Sequence, residues 1–446
     1  MKATVLVIDG GGRGHVLVQK YLESPHIKKV FAIPGNDLML ENNGIRVKIF
    51  QSVKTTDIKK IKLICQKEKV DLVDVAQDDA VAAGLVDKLT KSGLKVLGPT
   101  QAAGQIEWDK AWARNFMKKF LIPIPQFIVC KSQAEGIKFI RRKASLIESQ
   151  TNKSWFIKAS GLAAGKGALF ARDNQEASLN IKKMANFGKA GKTYLIEEFV
   201  EGEEFSSFAI VNGTDFKIIG HAQDHKTVYD GDLGPNTGGM GCSSPPMVIT
   251  KSIEKQIESI FAKTTKGLVQ IKRPYLGILY LGGIIDKGGN VIVIEFNARW
   301  GDPEAQVIVP AIKNDFYELT TQVLNGKINE IKIKKDNFYL VAVTAASRGY
   351  PKDYSKVVGK KIIGLEKILK LKNVQIFGAG VKVKNRQYLA AGGRLFYMMA
   401  QGRNVAEARK MAYNALSRIR VEGDNLHYRT DIGWRDLKRY YSNVNQ

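Results

Sequence analysis

Hydrophobic positions along the first hundred residues recur in two different periods. Thr4–Asp9 is a short apolar run, and after a glycine turn His15–Glu23 carries apolar residues at helical spacing. Val30–Ile33 repeats the short run and ends at Pro34-Gly35. Val70–Val75 and Leu94–Leu97 continue the pattern, with helical spacing over Val81–Lys91 between them. Strands separated by helices predict an α/β region with a parallel, doubly wound sheet.

Ile106–Phe120 predicts another helix, and Pro123 and Pro125 mark a lobe boundary after it. From Trp155 the texture changes to short strands with glycine-rich connections: WFIKASG, LAAGKGALF, TYLIEEFV, FSSFAIV, LGILYLGGIID and VIVIEFN. Many of these connections are too short for a helical crossover, so an antiparallel or mixed arrangement is expected. Thr250–Val269 and Asn314–Leu324 read as the helices packed with them. Beyond Gly326, the segments YLVAVTAAS, VQIFGAGVKV and RLFYMMA, a Gly392-Gly393 turn and a helix over Val405–Arg418 predict a small α+β module.

A length of 446 residues exceeds what one core fills, so several lobes are required. With 44% hydrophobic and 25% charged residues the chain is globular rather than disordered. No stretch reaches the ~20 apolar residues of a membrane helix. The opening MKATVLVIDGGGRGH reads as a strand and turn, not a signal peptide, so a cytoplasmic location is expected. Cys65, Cys130 and Cys242 are widely spaced and suggest neither a disulfide framework nor a zinc site. The net charge of +26 raises nucleic-acid binding as a reading. The lysines are scattered through segments such as DIKKIKLICQKEK, and no aromatic RNA-binding signature, zinc finger or basic tail accompanies them. A solvated basic surface that favours anionic substrates is the better account.

Four segments carry candidate chemistry. KASGLAAGKG sets Lys158 at a strand end before a small-residue loop containing Gly161, Gly165, Lys166 and Gly167. Such a loop brings backbone N–H groups to phosphate oxygens while lysines neutralise their charge. It is not a P-loop, because Gly167 stands where Ser or Thr should follow Lys166; a plain glycine hairpin is the competing account. VIVIEFNARWGDPEAQ puts Glu295 into a strand apolar on both faces, where a carboxylate must be paired or metal-bound. Glu295, Asn297 and Arg299 alternate onto one strand face. A carboxylate and an amide oxygen there suit Mg²⁺, with Arg299 free to clamp a phosphoryl group; the alternative is a Glu295–Arg299 salt bridge. IEEFVEGEE offers hinge backbone near Val200 for an adenine edge, with Glu197 and Glu204 as its acidic groups, although taken alone the stretch reads first as a solvated acidic loop. QDHKTVYDGDLGPNTGGMG is long for a structureless connection, and Lys226, Asn236 and Thr237 are its expected substrate-facing groups, with Gly238 and Gly239 opening backbone to an anion; a flexible surface loop is the competing account.

Taken in this order, the segments resemble the ATP-grasp superfamily and, within it, the glycinamide ribonucleotide synthetase family. The resemblance runs through VLVIDGGGRGHVL, LGPTQAA, KASGLAAGKG, IEEFVEGEE, QDHK, GPNTGGMG, LYLGGIID, IEFNARWGDPE and YRTDIGWR, almost the whole chain. It implies an N-terminal α/β domain over 1–104, a small ATP-grasp lobe and lid over 105–192, a large lobe with a metal site over 193–326 and a C-terminal domain over 327–446. It further implies ligation of glycine to 5-phosphoribosylamine through a glycyl phosphate, using ATP with Mg²⁺ or Mn²⁺. Lys110, Lys158 and the Gly165–Gly167 loop with Lys166 would then hold ATP phosphates, Glu197 and Val200 adenine, and Glu204 the ribose. Glu295 and Asn297 would hold the metal. Lys226, Asn236, Arg299 and Asp302 would act at the reacting groups, and Gly11, Gly12, Arg13, Thr237, Gly238 and Gly301 would line the substrates.

Three positions depart from the family pattern. Gly14 stands where GGREH has its Glu, Ala76, Gln77 and Asp78 stand for GPE, and Asp109 replaces the Ser before Lys110. The expected partners are small molecules, with neither nucleic acid nor membrane, and a monomer is expected. The alternatives are an ATP-grasp ligase with another amine acceptor, a bicarbonate-dependent carboxylase, against which GPNTGGMG and DIGWR argue, and a basic nucleic-acid-binding protein.

Overall fold

A computed structural model of the chain describes residues 2–41, 43–145, 153–163, 166–371 and 373–444. The first lobe is a parallel sheet of β1 (Ala3–Asp9), β2 (Ile27–Pro34), β3 (Val47–Ile49), β4 (Leu72–Val75) and β5 (Lys95–Leu97) in the order β3-β2-β1-β4-β5. Strand order reverses at β1, so the crevice at the carboxyl ends of β1 and β4 is where such a sheet receives ligands. Helix α1 (Gly12–Leu22) starts earlier than the apolar spacing predicts. Spacing registers buried side chains, and the first turn is instead held by backbone bonds to Asp9.

Two predicted helices are each two. Val81–Lys91 divides into Asp78–Ala82 and Leu85–Lys91 at Gly84, whose φ is +79°. Ile106–Phe120 divides into Gln101–Trp108 and Lys110–Lys119 at Asp109, whose carboxylate accepts the Trp112 N–H at 3.1 Å. Apolar positions face a shared core on both sides of that break, so periodicity cannot reveal it; its effect is to put Lys110 at a helix start. Helices Gln133–Ser145 and Asn174–Lys183 lie where the pattern predicted none, their many charged residues masking a thin apolar stripe.

The small lobe is an antiparallel sheet in the order Phe127–Cys130, Tyr194–Glu198, Trp155–Ala159, Ala168–Ala171. Tyr194–Glu198 therefore belongs to the small lobe's sheet. The large lobe and the C-terminal module share one nine-stranded sheet, joined where Gly241–Ser244 pairs with Tyr339–Ser347. The C-terminal module also touches the first lobe. Asn36 Nδ2 donates to the carbonyls of Gly10 at 3.0 Å and Gly378 at 2.7 Å, and the Gly378 N–H donates to His15 Nδ1 at 2.8 Å. Burial pushes His15 down to about 3, so it is a neutral, bracing imidazole. Cys65, Cys130 and Cys242 are free and buried, and among the described residues no helix is long and apolar enough to cross a membrane.

Candidate active site

A cavity of about 220 Å³ opens between the small and large lobes. Lys110, Lys158, Gly167, Glu197, Val200, Glu204, Lys226, Asn236, Thr237 and Glu295, which the sequence proposes from separate segments, all line it. Gly165 lies outside the described residues. Lys166 lines an adjoining cavity instead.

Glu295 is the electrostatic centre. It sits on strand Val291–Asn297 just past a bulge, since Gly282 pairs with Glu295 and the next residue, Gly283, with Val293. The bulged Ile294 turns its carbonyl to Arg114 Nη2 at 2.6 Å, fixing the strand's bend. Burial alone would raise the Glu295 carboxyl, but Lys110, Lys226 and Lys158 outweigh it and hold the group at about 2. Lys110 has no ion-pair partner among the described residues. It is a half-buried cation available to an incoming anion. Lys226 pairs with Glu204 at 2.9 Å, which lowers that carboxyl.

The side chain of Glu197 faces inward. It takes Arg114 Nε at 2.5 Å and Nη2 at 2.9 Å on its two oxygens, and Lys158 Nζ at 2.7 Å. Burial would raise it, yet Arg114 and Lys158 pull it down to about 2. Glu197 thus reaches the cavity chiefly by orienting Lys158. The apolar end is made by Phe156, Phe199, Ile284 and Ile294, with the Phe156 and Phe199 rings 6.1 Å apart. The Val200 amide has no hydrogen-bond acceptor among the described residues. An aromatic wall beside an unused hinge amide suits a purine ring.

Asn297 Nδ2 faces Glu295 Oε1 at 3.4 Å, and Asn297 Oδ1 accepts from Arg299 Nη2 at 3.2 Å. Arg299 forms its ion pair with Glu107, at 2.9 Å, not with Glu295. The other Glu107 oxygen accepts the Ala298 N–H at 2.8 Å, so one carboxylate sets both the backbone and the side chain of this turn. Sequence reasoning missed Glu107 and Arg114; each is a charge on the inward face of a helix, the one signal that pointed to them.

Next in the chain, Gly301 runs beside the Glu304 carboxylate, which accepts Tyr280 Oη at 2.8 Å. Asp302 takes Gln306 Nε2 at 2.6 Å and Arg394 Nη2 at 3.1 Å. Its carboxylate faces Gly11, and Gly12 lies against the Tyr397 ring. Arg13 donates to Asp9 Oδ2 through Nε at 2.8 Å and Nη2 at 2.6 Å, to the Trp300 carbonyl at 2.9 Å, and to Gln77. Asp9 Oδ1 meanwhile accepts the Gly11 and Gly14 N–H groups at 2.6 and 2.9 Å. The first-lobe turn therefore contains its own anion, and a Cβ at Gly14 would fall 2.7 Å from Asp9 Oδ1.

The loop after Lys226 is held from the C-terminal end. Arg429, fully buried, donates to Thr227 Oγ1 at 2.8 Å, Asp232 Oδ1 at 2.9 Å and both oxygens of Asp431 at 2.7 Å. The Gly433 N–H donates to His225 Nε2 at 2.9 Å. Thr227 pairs with Asn236, and the Thr237 N–H donates to the Lys226 carbonyl at 2.7 Å, so this brace fixes where Lys226, Asn236 and Thr237 stand. Gly238 donates its N–H to Tyr350 Oη at 3.0 Å.

Family models of phosphoribosylglycinamide synthetase match the chain in succession: the N domain over residues 3–107, the ATP-grasp (A) domain over 108–305 and the C domain over 340–435. The chain is 38% identical over 443 residues to the phosphoribosylamine–glycine ligase of Streptococcus pneumoniae, covering 97% of this chain and 100% of that one. The Salmonella typhi enzyme of the same name is 38% identical over 445 residues, covering 98% and 99%. The crystal structure of phosphoribosylamine–glycine ligase from Thermotoga maritima superposes with a TM-score of 0.79 at 30% identity, covering 96% of this chain and all of that one. With every domain matched in order and the likeness extending from end to end, the chain belongs to the phosphoribosylglycinamide synthetase family of ATP-grasp enzymes.

Proposed function

We propose that this chain joins glycine to 5-phosphoribosylamine at the expense of ATP, giving glycinamide ribonucleotide, ADP and phosphate in purine biosynthesis. The observation that carries the reading is the convergence of Lys110, Lys158 and Lys226 on Glu295 within the inter-lobe cavity. Counting Arg114, four cations face the carboxylates of Glu197, Glu204 and Glu295, and the surplus positive charge, carried by Lys110, is one that a polyphosphate with its metal would engage.

ATP lies with its purine against Phe156 and Phe199 and its phosphates toward Lys110 and Lys158. Glu295 and Asn297 stand at adjacent same-face positions; the Asn297 amide now turns Nδ2 to Glu295 and Oδ1 to Arg299, and with the amide reversed the two side-chain oxygens would fit Mg²⁺ or Mn²⁺ completed by phosphate and water. When bound, the ion would neutralise charge building on the transferred phosphoryl group. A glycine carboxylate oxygen attacks the γ-phosphorus and ADP leaves. The substrate amine then attacks the glycyl carbonyl carbon, phosphate departs, and the amine gives up a proton. Arg299, oriented by Glu107, and Lys226, oriented by Glu204, hold the charge that moves. The small lobe closes over the cleft to keep water from the acyl phosphate.

The test is ADP release with each substrate omitted in turn. Turnover should require both glycine and phosphoribosylamine, and equal ADP release with a second amino acid would overturn the assignment of the carboxylate. Testing other amines separately decides whether the changes at Gly14 and Ala76–Asp78 have altered the acceptor.

A further inference from the structure

We infer that the phosphate of the amine substrate binds outside the first-lobe turn, in the cavity between the 236–238 turn and the loop Tyr350–Ser355, with Lys352 as its principal cation. The inference rests on the proposed function for the identity of that substrate. Two independent observations carry it.

The first is that the first-lobe turn already contains its own anion, Asp9. The Gly11 and Gly14 N–H groups, which an anion at this helix start would use, both donate to Asp9, and Arg13 is spent on Asp9, Gln77 and the Trp300 carbonyl. Asp302 faces the same turn. A dianionic phosphate there would meet the Asp9 and Asp302 carboxylates, with only the Gly12 and Arg13 backbone N–H groups of the turn left to donate.

The second is a cavity of about 540 Å³ beside the ATP cleft, sharing Asn236 and Thr237 with it. Lys166, Lys352 and Arg394 line it, with Asp353 as the only carboxylate among the described residues around it. Lys352 is exposed and has no acidic partner among the described residues. Arg394 is held in place by Asp302 and by the carbonyls of Gly238 and Asp302. The loop is also fixed rather than draped. A Cβ at Gly393 would lie 2.4 Å from Tyr350 Cδ2, so that glycine lets the ring seat, and Tyr350 Oη accepts the Gly238 N–H. A phosphate monoester here would leave its sugar pointing toward Thr237 and the γ-phosphate end of the cleft, where the acyl phosphate forms.

Ribose 5-phosphate, which carries the phosphate but no amine, is the probe, titrated into the full chain with ribose as control. The unmutated chain should prefer ribose 5-phosphate to ribose. Lys352→Glu should weaken that binding at least tenfold and raise the KM for phosphoribosylamine similarly, with the KM for ATP unchanged, while Lys352→Arg retains both. Undiminished ribose 5-phosphate binding in Lys352→Glu overturns the site, as does loss in Arg13→Met with retention in Lys352→Glu. Absence of phosphoribosylamine-dependent ADP release in the unmutated chain would instead overturn the proposed function, leaving the ribose 5-phosphate titration to judge the site on its own.

Discussion

The Arg114 guanidinium spans the two oxygens of Glu197, at 2.5 and 2.9 Å, while its other nitrogen reaches the carbonyl of Val293 on the strand that carries Glu295. One side chain thus ties the small lobe's sheet to the large lobe's central carboxylate. Arg114→Met would leave Glu197 buried against Lys158 alone. Loss of one partner from a buried ion pair costs about 3–5 kcal/mol. A urea unfolding curve should show a destabilisation of that order, together with weaker ATP binding.

Glu295→Gln removes the carboxylate but keeps a group able to bond Asn297. The fold should survive, and kcat should fall by roughly 10²-fold or more, as when a charge-stabilising group is deleted from a phosphoryl-transfer site. Steady-state kinetics with a Mg²⁺ titration would check it. Undiminished turnover would remove Glu295 from the metal site.

Two carboxyls give opposite pH signatures. Glu197 is depressed from 4.5 to about 2, so its stabilisation is complete above pH 4.5 and disappears as pH falls toward 2. Asp74 is raised from 3.8 to about 7 by burial, its Tyr21 hydrogen bond notwithstanding. The folded state there holds a proton that the unfolded chain releases, so stability declines as pH rises from 3.8 to 7. The slope is at most about 1.4 kcal/mol per pH unit. Asp74→Asn keeps an acceptor for Tyr21 and should flatten that decline, as seen by denaturation at several pH values between 4 and 8.

Arg429 never reaches the cavity, yet it fixes the loop from Thr227 to Asp232. Arg429→Ala should lower kcat/KM by about 10²-fold, the cost of misplacing reacting groups by an ångström. Adenine nucleotide binding, which uses the other side of the cleft, should be much less affected. Parallel nucleotide titrations and kinetics on the same preparation would show the split.

The close contact of Gly14 with Asp9 predicts a coupled pair. Gly14→Glu alone forces atoms into the space of the Asp9 side chain, and overpacking of this kind costs about 1–3 kcal/mol before like-charge repulsion is added. Asp9→Gly clears that space and lets the new carboxylate face Arg13. The double variant should recover most of the loss, giving a non-zero coupling energy in a double-mutant cycle.

The strands and the order of the lobes were legible because they are written in apolar runs. That Lys158 and Glu295 line one cavity was legible because Lys158 ends an apolar run before a small-residue loop and Glu295 interrupts another. What escaped were the partners. Glu107, Arg114 and Arg429 contact residues as far as 83 to 202 positions away, and sequence spacing says nothing about which distant charge will neutralise a buried one. The helix break at Asp109 escaped for a local reason, since a capping carboxylate does not disturb the hydrophobic period around it. Arg299 illustrates the limit well: the sequence set a phosphoryl clamp against a salt bridge with Glu295, and neither reading contained Glu107, with which the guanidinium pairs.

The pairing of Gly241–Ser244 with Tyr339–Ser347 bears on how the chain can be cut. A fragment ending near residue 326 would leave Gly241–Ser244 paired on one side only, with Asp215–Asp224, and the remaining piece would expose the matching edge of an apolar strand. Open edges of that kind recruit one another between molecules. Expressed separately, the two pieces should precipitate; expressed together, they should find each other and restore a soluble, split protein.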